Sequence, residues 1–443
     1  KPEDRREFMQ DDPVHTLLHY TKQMVRQAEY IRAYGKNGAR LHELKKQAEK
    51  KYGATKEQLE LVDDYIDGLL GNKEVGMSRE LKDTYGAMIV YQNFRLLPFN
   101  LFSSLVDPLG VAVRSNNLGD AFETFGYAIR NVFRDLKSER PDDTKDAWEK
   151  LAEDWGIIED AGVLSNLHNM YESVELRGFS KRMNDALFKY NLLNGWTRNT
   201  KIMATKAAQR FMFRAAQDHF GAEQSARYLE ELGVSKSDIV ADQEGNMALT
   251  KAQLISQGVS EAQAEQIEKR LKDATVKFVN QAILNPTAGD LPNWGSNPYF
   301  APIFHLKQFM FTFQSTIGRR ITHEAANGNY KPMWLSTIYI PGMIGADMLR
   351  GFASNFGDEP PWQKNWGVTD YLLHGVDRSG LLGAGSLLTG MKDDMMHGGQ
   401  GYETLAGPSV EQLKKGLVAT QTGGEKMQNF IVKSMPLNPI YDQ

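Results

Sequence analysis

The amino-acid sequence predicts an all-α fold: a multi-helix bundle with long amphipathic helices and a glycine-rich, loop-rich C-terminal part. Three observations carry this. Apolar residues recur at three- and four-residue steps, capping signals stand in front of those runs, and no six-residue alternating stretch of β-branched residues stands out. The elements follow in chain order. Asp12 before Pro13 reads as an N-cap with proline at the first helical position. Behind it Val14, Leu17, Leu18, Met24, Val25, Ala28 and Ile31 mark an apolar stripe on a helix that runs to about Tyr34. Lys36 to Lys51 reads as a second, strongly charged helix. Thr55 with Gln58 forms a capping box for a third, which carries Leu59, Val62, Ile66 and Leu69, and Ser78 starts a fourth. The box returns at Ser260/Gln263 and Ser409/Gln412, and VADQEGNMALT (240–250) reads as a loop-like insertion.

Three zones separate by composition. Residues 1–95 are a charged helical hairpin or bundle, residues 96–285 a central helical domain, and residues 286–443 an aromatic and glycine-rich helical region that suits assembly or a membrane. The span 341–443 holds 17 of the 39 glycines. Each costs about 1 kcal/mol in a helix relative to alanine, so that span is expected to hold turns, close helix contacts or a segment that rearranges.

The 443 residues are 41% hydrophobic and 24% charged, values ordinary for a folded core, and the net charge of -4 argues against a nucleic-acid footprint spread over the whole chain. Absence of cysteine excludes disulfides, thiolate metal sites and cysteine nucleophiles. The opening KPEDRREFMQDDP has no initiator Met and no signal-peptide pattern, and reads as a piece of a longer or processed polypeptide. No uncharged stretch reaches the ~18–20 apolar residues a spanning helix needs; the nearest, Pro332 to Ala346, is interrupted by Pro341.

The stretch WGVTDYLLHGVDRSGLLGAGSLLTG (366–390) most resembles a reaction centre. Thr369 is placed to cap a short helix ending near Gly375, with Asp370 and His374 one turn apart and Tyr371 beside them. In a catalytic reading His374 is a base held by Asp370 or Asp377, with Ser379 as nucleophile. A plain reading makes Asp377-Arg378-Ser379-Gly380 a turn between packed helices. No nucleophile elbow accompanies the cluster, and the plain reading explains more of it. Gly380, Gly383 and Gly385 interleave with leucines and suit a close helix crossing, a subunit interface or a membrane. On that reading bulky replacements at Gly383 and Gly385 harm assembly more than His374→Ala does. His15 and His19 have zinc spacing but no visible third ligand, and THEAAN (322–327) lacks the second histidine of a zinc-protease motif. No metal or other cofactor is expected.

For nucleic acid the candidate is 187–220, where Lys206, Arg210 and Arg214 line one helix face with Arg198 and Lys201 one to two turns earlier. Such a stripe can follow a phosphate backbone, or be solvated, or pair with local acids. For membranes or subunits the candidates are 300–328, with Phe304, Phe309, Phe311 and Phe313 before Arg319-Arg320, and 333–352, with Trp334 and a Pro-Gly break that would hinge two half-helices. A central core helix is the other reading of the aromatic run.

Several of these phrases carry a resemblance. PFNLFSSLVDPLGVAVRSNNLGDAFETFGYAIRNVFR (98–134), FAPIFHLKQFMFTFQSTIGRR (300–320), WGVTDYLLHGVDRSGLLG (366–383), AGPSVEQLKKGL (406–417) and MPLNPIY (435–441) resemble the C-terminal region of large internal virion proteins of short-tailed bacteriophages. These are DNA-ejection or inner-core proteins, and a similar segment ends giant virion-associated RNA polymerase-type proteins. The likeness covers most of 85–443 and is weaker before it. It implies a structural protein of the virion interior that passes to the host periplasm and inner membrane, oligomerising into a conduit for the genome. Its implied partners are copies of itself, other core and ejection proteins, the portal, phage DNA and the host inner membrane. No catalytic residue is implied; a transglycosylase or polymerase, where the family has one, lies upstream. A DNA-binding scaffold inside the capsid, and an α-helical hydrolase domain, stay as alternatives.

Overall fold

Among the residues described in the computed structural model, 81% are helical and 1% are strand. They are 13–70, 78–96, 100–135, 145–158, 192–242, 244–285, 292, 298–300, 308–354, 366–382 and 414–422, with single positions 385, 391, 395, 424 and 427. The all-α class is therefore correct. The only strand-like pairing described is a bridge between Ala241 and Met247, which closes the predicted 240–250 loop.

Helix α1 (Pro13–Tyr34) starts at its proline and stops at Gly35, whose φ of 78° no ordinary side chain adopts comfortably. The second helix begins later than the charge pattern suggests. Asn37 and Gly38 both take left-handed φ, 58° and 69°, in a 3-10 turn, so α2 is Ala39–Tyr52. It ends on left-handed Gly53. The Thr55/Gln58 box then starts α3 (Lys56–Leu70): Gln58 N–H donates to Thr55 Oγ1 at 3.3 Å, and Thr55 N–H donates to Gln58 Oε1 at 3.0 Å. Helix α1 packs against both α2 and α3.

Ser78 caps α4 (Arg79–Leu96), its Oγ accepting from Leu81 N–H at 3.3 Å. Then follow α5 (Asn100–Ser104), α6 (Asp107–Ser115), α7 (Leu118–Asp135) and α8 (Ala147–Asp154), the last capped by Asp146 on Glu149 N–H at 2.8 Å. The axis of the molecule is α9 (Leu193–Ala216), against which α6, α7, α8, α10 (Ala222–Leu232) and α12 (Glu261–Ala282) pack. Short α11 (Lys251–Ser256), capped by Thr250, lies on α12. The inner face of α9 alternates small and large: Ile202, Ala204, Ala208, Phe211, Met212 and Ala215 are all buried. Alanine admits neighbouring helices closely, and Phe211 fills the gap between them, its ring 5.2–5.5 Å from those of Tyr228, Phe220 and Phe278.

A second apolar cluster joins Val106, Val113 and Leu284 to Phe313, Ile317, Tyr339, Met343 and Ala346. It gathers α13 (Gln308–Phe313), a π-helical turn at Gln314–Gly318, α14 (Arg319–Ala326), α15 (Lys331–Ser336) and α16 (Tyr339–Ser354) beside α5 and α6, with α17 (Val368–Arg378) packed on α16. Pro341 does not hinge two half-helices. The break falls at 337–338, and Pro341 sits in the first turn of α16, where a missing N–H costs no helical bond.

Candidate functional site

The 366–382 stretch folds into one helix and its exit turn, and its polar residues do not form a catalytic set. The N-cap is Gly367 and not Thr369; Asp370 reaches back to accept Gly367 N–H at 2.8 Å. The helix runs through Gly375 to Arg378, because Gly375 is a contact residue and not a terminator. A Cβ there would stand 2.6 Å from Ile344 Cγ1 and 3.1 Å from Ile340 O of α16. Ser379 is buried, its hydroxyl donating to Val376 O at 2.7 Å and accepting from Leu381 N–H at 3.2 Å. Both bonds are to the backbone of its own turn, and neither is to His374.

His374 pairs with neither Asp370 nor Asp377 but with Asp347 of α16, Nε2 to Oδ2 at 2.8 Å. Arg378 Nε lies 3.6 Å from the same oxygen, and Trp366 covers the imidazole edge-on at 4.9 Å. Burial works to raise the Asp347 carboxyl. The His374 hydrogen bond and the charges of Arg378, His374 and Arg350 outweigh it and hold that carboxyl below the usual carboxylate range. Sequence spacing could not find Asp347, 27 residues away on another helix. The group ties α16 to α17 through an imidazole–carboxylate pair.

The basic stripe is not an open phosphate track. Helix α9 turns it toward α7 and α8, which supply carboxylates at matching heights. Lys206 reaches Glu123 at 2.5 Å, Arg210 reaches the same Glu123 and lies 3.7 Å from Asp120, and Arg214 bonds Asp120 at 2.9 Å. Arg198 bridges Glu149 at 2.7 Å and Glu153 at 2.8 Å, and Lys201 is buried. Pairing with local acids, the plainer of the sequence readings, describes Arg198, Lys206, Arg210 and Arg214 alike. Glu123 is correspondingly held below its ordinary value: burial raises it, and the bonds from Lys206 and Arg210 lower it more.

The apolar candidates divide. Phe313 is 1% exposed, packed edge-on against Tyr339 at 5.3 Å, so it is core and not interface. Phe311 is half-buried. Phe309 lies in α13 with its side chain outside the described residues, and Phe304 and Gly383 lie outside them altogether. Gly380 is buried in left-handed backbone, φ 79°. Among the described residues a Cβ at Gly385 would meet Leu382 Cβ at an ordinary 3.8 Å. Trp334 is 69% exposed. It stands on α15 near an exposed Tyr330, while Met348, Leu349 and Phe352 are exposed on α16 and Val368, Leu372 and Leu373 on α17. No described helix is long and apolar enough to cross a membrane. The His15 and His19 side chains lie outside the described residues, and among those described no three metal-ligating side chains come together.

What sequence reasoning missed is a buried polar network between the two apolar clusters. Arg114 of α6 and Arg320 of α14 converge on Glu231 of α10, at 3.0 and 3.2 Å. Arg227 and Tyr228 of α10, with Asn329, converge on Glu324 of α14 at 2.7–2.9 Å. Arg320 stacks 4.9 Å over the Tyr228 ring, and Arg114 5.5 Å over Phe278. Burial first, and then the charge of Arg320, bring Arg114 down to about 10. Glu231 is lowered as well: burial raises it, but the charges of Arg114, Arg320 and Lys277 outweigh that and hold it below the usual carboxylate range. The network binds α14 to the core through charges, and α14 buries only Arg320 and Glu324. GRRITHEAANGN offered one hint, Arg320 and Glu324 one turn apart on a single face. Compared with known proteins, this chain matches no family model, no curated protein and no solved structure.

Proposed function

We propose that this chain is a structural protein of the phage virion interior, an ejection or inner-core protein that assembles with itself and assists genome passage across the host envelope. The observation that carries the proposal is the number of large apolar residues left exposed on α15, α16 and α17: Trp334, Phe352, Val368 and Leu373 are each 58–78% exposed. Single exposed apolar residues are ordinary; a set of large ones on three successive helices is the mark of a surface that meets protein or lipid. This surface falls in the zone whose wording resembles those virion proteins, and the polar network behind α14 supports the reading further. Charged groups buried between helices lose less on exposure to water than apolar ones, so helices joined in that way can change partners.

The test uses the full chain with phosphatidylglycerol vesicles and with negative-stain microscopy. Wild type is expected to float with the vesicles or to form rings or tubes, and Trp334→Ser/Phe352→Ser/Leu373→Ser to lose both. A wild-type chain that neither floats nor assembles overturns the proposal. The capsid scaffold reading loses its motivating observation, since the stripe that suggested it is neutralised by Asp120, Glu123, Glu149 and Glu153.

A further inference from the structure

The N-terminal helices hold a second unpartnered surface, of different character. Across the described residues of 13–70 the only buried position is Gly38. The reason lies in how α1 is turned. Its half-buried residues, Gln23, Arg26, Tyr30 and Tyr34, face α2 and α3. Its apolar stripe faces away: Leu17 is 64% exposed, Met24 50% and Ile31 46%, with Thr21 and Ala28 exposed between them. At 100° per residue the two sets are centred roughly 135° apart around the helix, so they lie on different faces. A helix in an isolated hairpin would rotate its apolar side inward, because each large side chain so buried gains about 1.5–3 kcal/mol. Here the inward position belongs to two tyrosines whose tilted rings lie 5.4 Å apart, with the Tyr30 hydroxyl set against Gly38, where a Cβ would come within 2.3 Å.

The stripe's spacing points to its occupant. Leu17, Met24 and Ile31 recur every seven residues, with small Thr21 and Ala28 at the intervening four-step positions. That is the pattern of a two-stranded seam, in which each large residue inserts beside its counterpart. Charge selects the direction. Helix α2 carries five basic and two acidic residues, and α3 one basic and five acidic. Both flank α1. A two-fold axis parallel to α1 exchanges left and right, so that α2 of one copy lies across from α3 of the other. The antiparallel arrangement instead sets α2 against α2 and α3 against α3, like charge on like.

We infer that residues 13–70 pair two copies of this chain through a parallel, two-fold α1–α1 seam centred on Leu17, Met24 and Ile31. The inference adds a specific self-association surface to the proposed function, but it stands on helices separate from α15–α17 and survives the failure of that reading.

The chain has no cysteine, so single thiols report the geometry without background. Leu17→Cys, Met24→Cys and Ile31→Cys, each in the full chain under mild oxidation, are expected to crosslink each to its own twin. A parallel seam brings all three pairs together. An antiparallel seam crosslinks only Met24→Cys, and that result overturns the direction inferred; crosslinking at none of the three overturns self-pairing. The companion measurement is sedimentation of Met24→Glu in the Trp334→Ser/Phe352→Ser/Leu373→Ser background, in which α15–α17 association is expected to be lost. Its mass is expected to fall from twice 50.0 kDa to 50.0 kDa. An unchanged mass overturns the inference, as does loss of vesicle flotation by Met24→Glu without any change in mass, which would assign the stripe to lipid. Circular dichroism of each variant at the wild-type helix signal shows that the fold is kept.

Discussion

Replacing Gly110 with alanine adds one methyl group and is expected to be among the most damaging single changes in the chain. Gly110 is buried in α6 where that helix crosses the end of α12. A Cβ built there stands 1.9 Å from the carbonyl oxygen of Ala282 and 2.9 Å from the hydroxyl of Tyr339. Two opposing quantities set the outcome. Alanine gains about 1 kcal/mol over glycine in a helix interior. Against this, a carbon and a carbonyl oxygen need ~3.3 Å, so the two backbones must part by more than 1 Å. The atom in the way is main chain and cannot rotate aside. Parting them loosens Val111 and Val113 from both clusters at once. Overpacking a core costs about 1–3 kcal/mol, and this case lies at the upper end, so the net loss is about 2 kcal/mol after the helical gain. The assay is urea denaturation followed by helix signal, with Gly345→Ala as the matched control. Gly345 also lies in a helix, but a Cβ there meets nothing within 4 Å, so the control is expected to be neutral or to gain up to about 1 kcal/mol. A Gly110→Ala midpoint at or above wild type would refute the reasoning.

Three further outcomes follow from the same contacts. Glu324→Leu leaves Arg227, Tyr228 and Asn329 facing a buried apolar group, and is expected to lose about 3–5 kcal/mol in urea denaturation; a loss below about 1 kcal/mol would show the network to be loosely held. Asp107→Asn is expected to stabilise the chain at neutral pH, because burial pushes the Asp107 carboxyl well above its ordinary range and keeping it charged there opposes folding. Below pH ~4 the carboxyl is protonated folded and unfolded alike, so the advantage appears only as pH rises through that range, and a pH-independent gain would contradict the assignment. Lys206→Gln/Arg210→Gln/Arg214→Gln is expected to lower thermal stability, most clearly at low salt, while leaving any binding to DNA unchanged in gel shift; a selective loss of salt-sensitive DNA binding would restore the stripe as a contact surface.

Local chemistry made much of the fold legible before any contact was known. Pro13, the Thr55/Gln58 pair and Ser78 each begin a helix because their effect is confined to one turn: a fixed φ, or a side-chain oxygen within reach of an N–H three residues on. The same period of 3.6 showed which residues share a face. It could not show which way the face turns. The basic stripe of α9 and the apolar stripe of α1 were both correctly read as stripes, yet one is turned inward onto carboxylates and the other outward.

Short range also explains where the site readings failed. His374 stood among Asp370, Asp377 and Ser379 in sequence, but Asp370 turns back to Gly367 N–H and Ser379 bonds the backbone of its own turn. The carboxylate that meets the imidazole comes from Asp347 on the neighbouring helix. Gly375 looked like a helix end and serves as a crossing point, a distinction made only by Ile344 lying against it.

The sequence by itself determined the helical class, most helix starts and the composition of each face, because these depend on interactions within a few residues. Tertiary structure alone decided which charges are neutralised, which glycines are tight, and that Arg114, Arg227, Arg320, Glu231 and Glu324 meet in one buried network. Those outcomes depend on which helix lies opposite, and groups separated by 89 to 117 residues leave no mark on one another's local pattern.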